Sequence, residues 1–209
     1  MLRKSSTPEA NMKYPSPYTA DFGKRDPLAG VADEFPSRWS PRSFVKTPIP
    51  AEDLAVIFDA ARWAPSAYNE QPWRILTSTP ETFDTFLGLL VDANQKWAVN
   101  ASLIGFMVAS KNFSHNGKPN PTAVYDCGSA WMSLTLQARK LGLYTHGMSG
   151  IRKEAIYDAF GIDREAFEVV AGFTIGILDL RENLGKPYVD WESPSPRKPL
   201  ADVWKQGAW

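Results

Sequence analysis

Four short stretches of this chain carry more polar specificity than their surroundings require. SRWSPRSF, residues 37–44, places two arginines and three hydroxyls within eight positions. An arginine fork with neighbouring hydroxyls suits a phosphate, because a dianion takes bidentate, charge-assisted donors; the same pattern also occurs on solvated surfaces. WAPSAYNEQPWRI, residues 63–75, sets Ser66, Asn69 and Gln71 between Pro65 and Pro72, with a tryptophan at either side. It reads either as an Asx-type turn or as a stiffened loop that grips a flat ligand with a polar rim. THGMSGI, residues 145–151, reads as a glycine-containing turn ahead of a helix, whose backbone N–H groups would form an electropositive nest. PSPRKP, residues 194–199, puts Arg197 in an extended segment that by itself is a tail.

Other chemistries are excluded by what accompanies these stretches. No Gly-x-Gly-x-x-Gly, P-loop or Gly-x-Ser-x-Gly pattern is present. The single Cys127 rules out an internal disulfide, and with only His115 and His146 beside it no metal-ligand spacing arises. Cys127 falls on an apolar helix face and His115 in a solvated turn; His146, inside the glycine-containing turn, is harder to dismiss. With no nucleophile–base pair in view, an enzyme of this sequence would need a bound cofactor to carry the reaction. Lys plus Arg equals Asp plus Glu, so neither a nucleic acid nor an anionic membrane is an expected partner. The first residues lack the apolar segment of a secretory signal, and no run approaches a membrane span. A cytoplasmic protein is expected.

Positioning these stretches requires a sheet and several helices. At 209 residues with 44% apolar content, one domain with a substantial core is expected. Leu54, Ile57, Phe58 and Ala61 predict a helix from Glu52 to Trp63, stopped by Pro65. WRILTST predicts a strand, and TPETFDTFLGLLVDAN one amphipathic helix capped by Thr79. Residues 101–110 predict a buried strand. A long helix over 122–141, with Val124, Cys127, Trp131, Leu134, Ala138 and Leu141 on one face, should stop at Gly142. A further helix over 153–160 ends at Gly161, and FEVVAGFTIGILDL predicts a glycine-interrupted strand. An α+β sandwich with a mixed sheet is the expected class. The Pro-rich segments near both ends read either as disordered tails or as arms packed on a partner subunit.

In this order the four stretches resemble the flavin-dependent nitroreductase family over about residues 38–200. The carrying motifs are RWSPRSF, APSAYNEQPW, the Asn94 of NQKWAVNAS, the long helix with its GLYTHGMSG end, and SPRKPL. The resemblance implies an α-β-α sandwich with a central mixed, mainly antiparallel sheet flanked by helices. It divides the chain into an N-terminal arm, 1–34, partly extended, and a single FMN-binding domain, 35–209, whose C-terminal arm crosses to the partner subunit. It implies a homodimer with FMN at each subunit interface, and NAD(P)H as co-substrate.

On that resemblance Arg38 and Arg197 hold the FMN phosphate, with Trp39 beside them and Ser40 on the phosphate or ribityl side. Arg42 lies near N1 and O2 of the ring, where reduced flavin gathers negative charge. Pro65, Ser66, Ala67, Asn69 and Gln71 line the ring or ribityl chain, and Asn94 bonds the pyrimidine edge. Met148 and the backbone of Ser149 and Gly150 face N5, which carries the hydride. Tyr68 and Trp97 shape the substrate side or are core or interface aromatics. Two positions depart from the family pattern: Gly147 stands where proline is usual, and Ser195 where a basic residue is usual. The implied activity is ping-pong hydride transfer from NAD(P)H to an electron-poor small molecule such as a nitroaromatic or quinone. Alternatives are a flavin-dependent dehydrogenase on the same fold, a non-catalytic FMN-binding sensor, and an interaction domain without ligand.

Overall fold

The computed structural model describes residues 12–208. Along the chain its elements are α1 (Glu34–Ser37), β1 (Phe44–Val45), α2 (Ala51–Arg62), β2 (Trp73–Thr77), α3 (Phe83–Gly88), α4 (Asp92–Ala98), β3 (Leu103–Ser110), α5 (Ala123–Leu141), β4 (Tyr144–Met148), α6 (Lys153–Phe160), β5 (Phe167–Leu178), α7 (Tyr188–Trp191) and α8 (Leu200–Val203). One 3-10 turn lies at Ala67–Asn69 and another at Arg181–Asn183.

The long strand β5 organises the sheet. β3 pairs along one side of it, and β4 and then β1 along the other, while β2 adds outside β3. Every pairing among the described residues is antiparallel, so the mixed sheet expected from the sequence becomes an antiparallel one.

Side chains of β3 alternate between two cores, as strand geometry requires. Ile104, Phe106 and Val108 join Phe83, Phe86, Trp97 and Ile156 from α3, α4 and α6. Leu103, Met107 and Ala109 join Ile57 and Ala61 of α2 and Cys127, Leu134 and Ala138 of α5. A sheet covered on both faces by helices is the α-β-α sandwich.

Three local expectations change. The single helix over residues 79–94 is two short ones: Leu90 bridges Ile151, and Val91 is extended with its N–H on Gly150 O (3.1 Å), which breaks the helical ladder. Thr82, not Thr79, stands at the N-cap of α3. The stretch from Thr145 to Met148 is no turn but part of β4, paired with β5 from Tyr144↔Gly176 to Met148↔Gly172. Val124 of α5 is exposed rather than in the core. Gly142 and Gly161 do end α5 and α6 in left-handed conformation.

Of the first fourteen residues, 1–11 lie outside the described part. Beyond them the chain is fastened to its own domain: Lys13 and Tyr14 both bond the Asp53 carboxylate, Tyr14 N donates to Leu141 O (2.9 Å), and Ser16 Oγ donates to Leu178 O (2.8 Å). Ala20 is buried in the core.

Candidate functional site

The expected site residues fall into three groups. Arg38, Trp39, Ser40, Arg42 and Arg197 surround one cavity of about 280 Å³ together with Arg25 and His146. β1 begins just after Arg42 and is paired to the end of β5, which fixes residues 38–43 against the sheet. Glu192 completes the positioning. Its buried carboxylate accepts from Arg42 N through both oxygens (2.8 and 3.0 Å) and from Ser43 N (2.8 Å), tying the C-terminal segment to the RWSPR loop. Burial pushes this carboxyl above its ordinary range, against the pull of those two backbone donors and of Arg42 and Arg181.

The charged side chains that line the cavity are all arginines. Arg38 is pulled down from the usual arginine range by burial and then by Arg197. Arg25 is pulled to about 10 by burial, then Arg197, then Arg38. Among the described residues none of Arg25, Arg38, Arg42 and Arg197 forms an ion pair, and no carboxylate lines the cavity. Guanidinium groups clustered with no ion-pair partner and no lining carboxylate suit a multiply charged anion. Arg38 Nη1 is 3.3 Å from Ser40 Oγ, and Arg197 Nη1 donates to the Ser195 and Pro196 carbonyls (3.3 and 3.1 Å).

Trp39 has its indole in the core against Tyr144, with Nε1 unpartnered among the described residues. His146 has its Nδ1 2.9 Å from Pro41 O and its ring on Trp97 at 4.6 Å. Burial, with Arg42 and Arg38 adding to it, lowers its pKa to about 4, so the imidazole is neutral and Nδ1–H donates to Pro41.

A second group joins Asn94 to the β4 exit: Asn94 Nδ2 donates to Gly150 O (3.0 Å). A Cβ on Gly150 would stand 2.5 Å from that nitrogen, so only glycine permits the approach. Ser149 is exposed, whereas Met148 is buried among core residues and offers a ligand its backbone only.

The third group is the loop after α2. Gln71 N donates to Ser66 Oγ (3.0 Å), Ala67 N to Asp126 Oδ2 (3.2 Å), and Gln71 Nε2 to Asn69 O (3.1 Å). Tyr68, Asn69 and Gln71 all have positive φ, which costs a non-glycine residue energy and here holds the loop in one shape. Pro65, Tyr68 and Asn69 are exposed, and Tyr68 contacts the rings of Phe113 and His115. Trp97, by contrast, is 1% exposed and belongs to the core, which removes it from the substrate side.

Within one chain the loop and the arginines do not meet. The loop leads into Trp73, which pairs with Ala109 and through it with Glu168; the arginine loop leads into Phe44, which pairs with Leu178. Ten residues of β5 separate those points, roughly 33 Å at ~3.3 Å per residue.

Arg25 and Glu192 were missed in the sequence. Nothing in GKRDPLAG or DWESP distinguishes either from a solvated charge, and both act through contacts more than ten residues away along the chain. Among the described residues no helix is long and apolar enough to cross a membrane, and no cluster of His, Cys, Asp and Glu could hold a metal ion.

Residues 36–96 match the family model described as Nitroreductase family. A solved structure described as an oxidoreductase containing FMN is 42% identical, with 92% of this chain and 98% of that one covered and a TM-score of 0.86. A Streptomyces coelicolor protein provisionally named NADH dehydrogenase/NAD(P)H nitroreductase is 25% identical over 186 residues, 79% of this chain and 89% of the relative. A nitroreductase family protein from Clostridium difficile 630 has a TM-score of 0.63, covering 82% of this chain and 95% of its own; at 20% identity that likeness concerns the fold alone.

Proposed function

Because the chain belongs to the nitroreductase family, we propose that it is an NAD(P)H-dependent FMN oxidoreductase whose flavin phosphate sits in the arginine cavity. The observation that carries this reading is the set of guanidinium groups gathered without a carboxylate. A phosphate monoester supplies the missing charge and several acceptor oxygens. Arg38 and Arg197 hold that phosphate, and Ser40 adds a hydroxyl beside it. Arg42, anchored through its backbone by Glu192, places a cation toward the pyrimidine side of the ring. Asn94 and the Ser149–Gly150 backbone present polar groups from the β4 exit.

When bound, FMN supplies the redox chemistry, accepting a hydride from NAD(P)H at N5 and passing it to a nitroaromatic, quinone or similar acceptor in ping-pong turnover. The chain contributes binding, orientation and charge, and no side chain is required as an acid or base.

The loop carrying Pro65, Ser66, Ala67, Asn69 and Gln71 is too far along the sheet to serve the same flavin as the arginines of its own chain. It therefore serves the flavin of a second copy, with Tyr68 on the substrate side, and the working unit is a homodimer. Apolar exposure on α2, at Val56 (48%), with the neighbouring Trp63 (74%), and on α8, at Leu200 (52%) and Val203 (60%), with the neighbouring Trp204 (59%), gives the two copies surface to bury. On this reading residues 35–209 form the FMN domain, and its C-terminal arm crosses to the partner.

The test is spectroscopic. Purified protein should be yellow and bleach anaerobically with NADH or NADPH, and Arg38→Ala should lose its flavin. An Arg38→Ala protein that keeps full flavin content contradicts the assignment of the cavity.

A further inference from the structure

Two guanidinium groups of the cavity come from outside the segment that matches the family model: Arg197 follows it, and Arg25 precedes it. Arg25 lies eleven residues before residue 36, where that match begins. Its Nε donates to Ser195 O (3.1 Å), and its Nη1 donates to Pro36 O and to Arg38 O (2.7 Å). Three separate segments thus meet on one side chain: the N-terminal arm, the entry to RWSPR, and the C-terminal run that carries Arg197. Every hydrogen bond of Arg25 among the described residues uses Nε or Nη1, which leaves the two N–H bonds of Nη2 for a ligand.

The arrangement is costly without an anion. Arg25 is half-buried beside two other cations, and the charged form is disfavoured by burial and by both neighbours. A group needed only to tie chain segments together could do so without a charge placed against Arg38 and Arg197. The remaining Nη2 edge, the shared cavity and the absence of a lining carboxylate agree on a use for that charge.

We propose that Arg25 is a third phosphate ligand of the FMN site, so that the N-terminal arm helps the protein select FMN over the unphosphorylated riboflavin. This rests on the FMN reading of the cavity given above.

Flavin-stripped protein is titrated with FMN and, separately, with riboflavin, read by quenching of flavin fluorescence. The proteins are wild type, Arg25→Ala, Arg25→Gln and Arg38→Ala, each checked for a cooperative thermal melt. Loss of one charge-assisted donor set raises the FMN Kd roughly 10- to 100-fold, and the riboflavin Kd stays unchanged. Equal weakening toward both flavins means that Arg25 only clips segments together and overturns the proposal, as does an unchanged FMN Kd. Arg25→Gln keeps an N–H donor for the carbonyls while dropping the charge, and carries the same test should the alanine variant not fold. Wild-type protein that binds both flavins equally, with Arg38→Ala indifferent as well, overturns the FMN reading of the cavity itself. Wild-type preference for FMN that Arg38→Ala abolishes and the Arg25 variants retain overturns the role of Arg25 alone.

Discussion

Replacing Glu192 by alanine and by glutamine separates its hydrogen bonds from its charge. Alanine removes the only acceptor of the side chain and leaves Arg42 N and Ser43 N unpaired in a region where Ser43 is 2% exposed. At about 1–3 kcal/mol for each buried unsatisfied donor, the loss is about 2–6 kcal/mol. For a chain of this size, about 2–4 °C is lost per kcal/mol, so Tm falls by on the order of 10 °C. Glutamine behaves differently. With its oxygen at the Oε1 position it still accepts from both amides, while its NH2 at the Oε2 position faces Arg42 N as a second donor and turns slightly away. It also removes an anion that burial disfavours, so the net change stays within about 1 kcal/mol. Differential scanning calorimetry of the two variants, each with FMN present and absent, checks both statements. An alanine variant that melts within 2 °C of wild type (by the ~2–4 °C per kcal/mol scale), or a glutamine variant that melts as low as alanine, refutes the clamp. The alanine variant should also bind FMN more weakly than glutamine does, since the segment holding Arg197 is released.

His146 makes the fold sensitive to acid. Its folded pKa of about 4 lies below the unfolded value of 6.5, so between those limits the unfolded chain takes a proton that the folded one refuses, and stability falls as pH drops. His146→Asn, which retains an N–H for Pro41 O, should flatten that window in urea melts at pH 7, 5.5 and 4.5; identical slopes for the two proteins would discard this account. Glu192 acts in the opposite sense, because a carboxyl raised by folding favours the fold on acidification, so the comparison is between variant and wild type and not on absolute values. Gly142 has φ +99°, and a Cβ there would stand 2.2 Å from the Tyr14 carbonyl oxygen. Gly142→Ala should therefore break the Tyr14–Leu141 bond and speed amide exchange in residues 12–16, and unchanged exchange there would refute the contact.

Periodicity served where one face of an element decides its structure. The α2 and α5 helices, the buried β3 and the glycine stops at 142 and 161 were all legible from local pattern. Residues 79–94 misled because Phe83, Phe86, Leu87, Leu90 and Val91 fall at helical spacing, yet Leu90 and Val91 are claimed by Ile151 and Gly150 from across the fold. Thr145–Met148 misled for the converse reason: glycine and polar residues advertise a turn, while β5 supplies a ladder that holds them extended. Of the site, Arg38, Arg42, Arg197 and Gly150 were marked by several motifs occurring together in family order, since the Arg197 segment by itself reads as a tail and the arginine pattern also occurs on solvated surfaces. Glu192 and Arg25 carry no local signature, since their roles exist only after distant backbone groups have been brought to them. Trp97 was ambiguous between a ligand face and a core, and its packing on Phe44 and His146 decides for the core.

The fastening of residues 13–25 bears on how such a chain is cut and inherited. The segment lies upstream of residues 36–96, the part that matches the family model, and chain ends are where truncation is most easily assumed harmless. Yet it is stitched to α2, α5 and β5, and its last residue touches the rim of the cavity. A chain begun at residue 36 would keep RWSPRSF and every later motif and yet lose these ties, leaving a slackened mouth. On the proposed role of Arg25, substitutions in residues 13–25 would retune flavin retention while leaving residues 36–96 untouched.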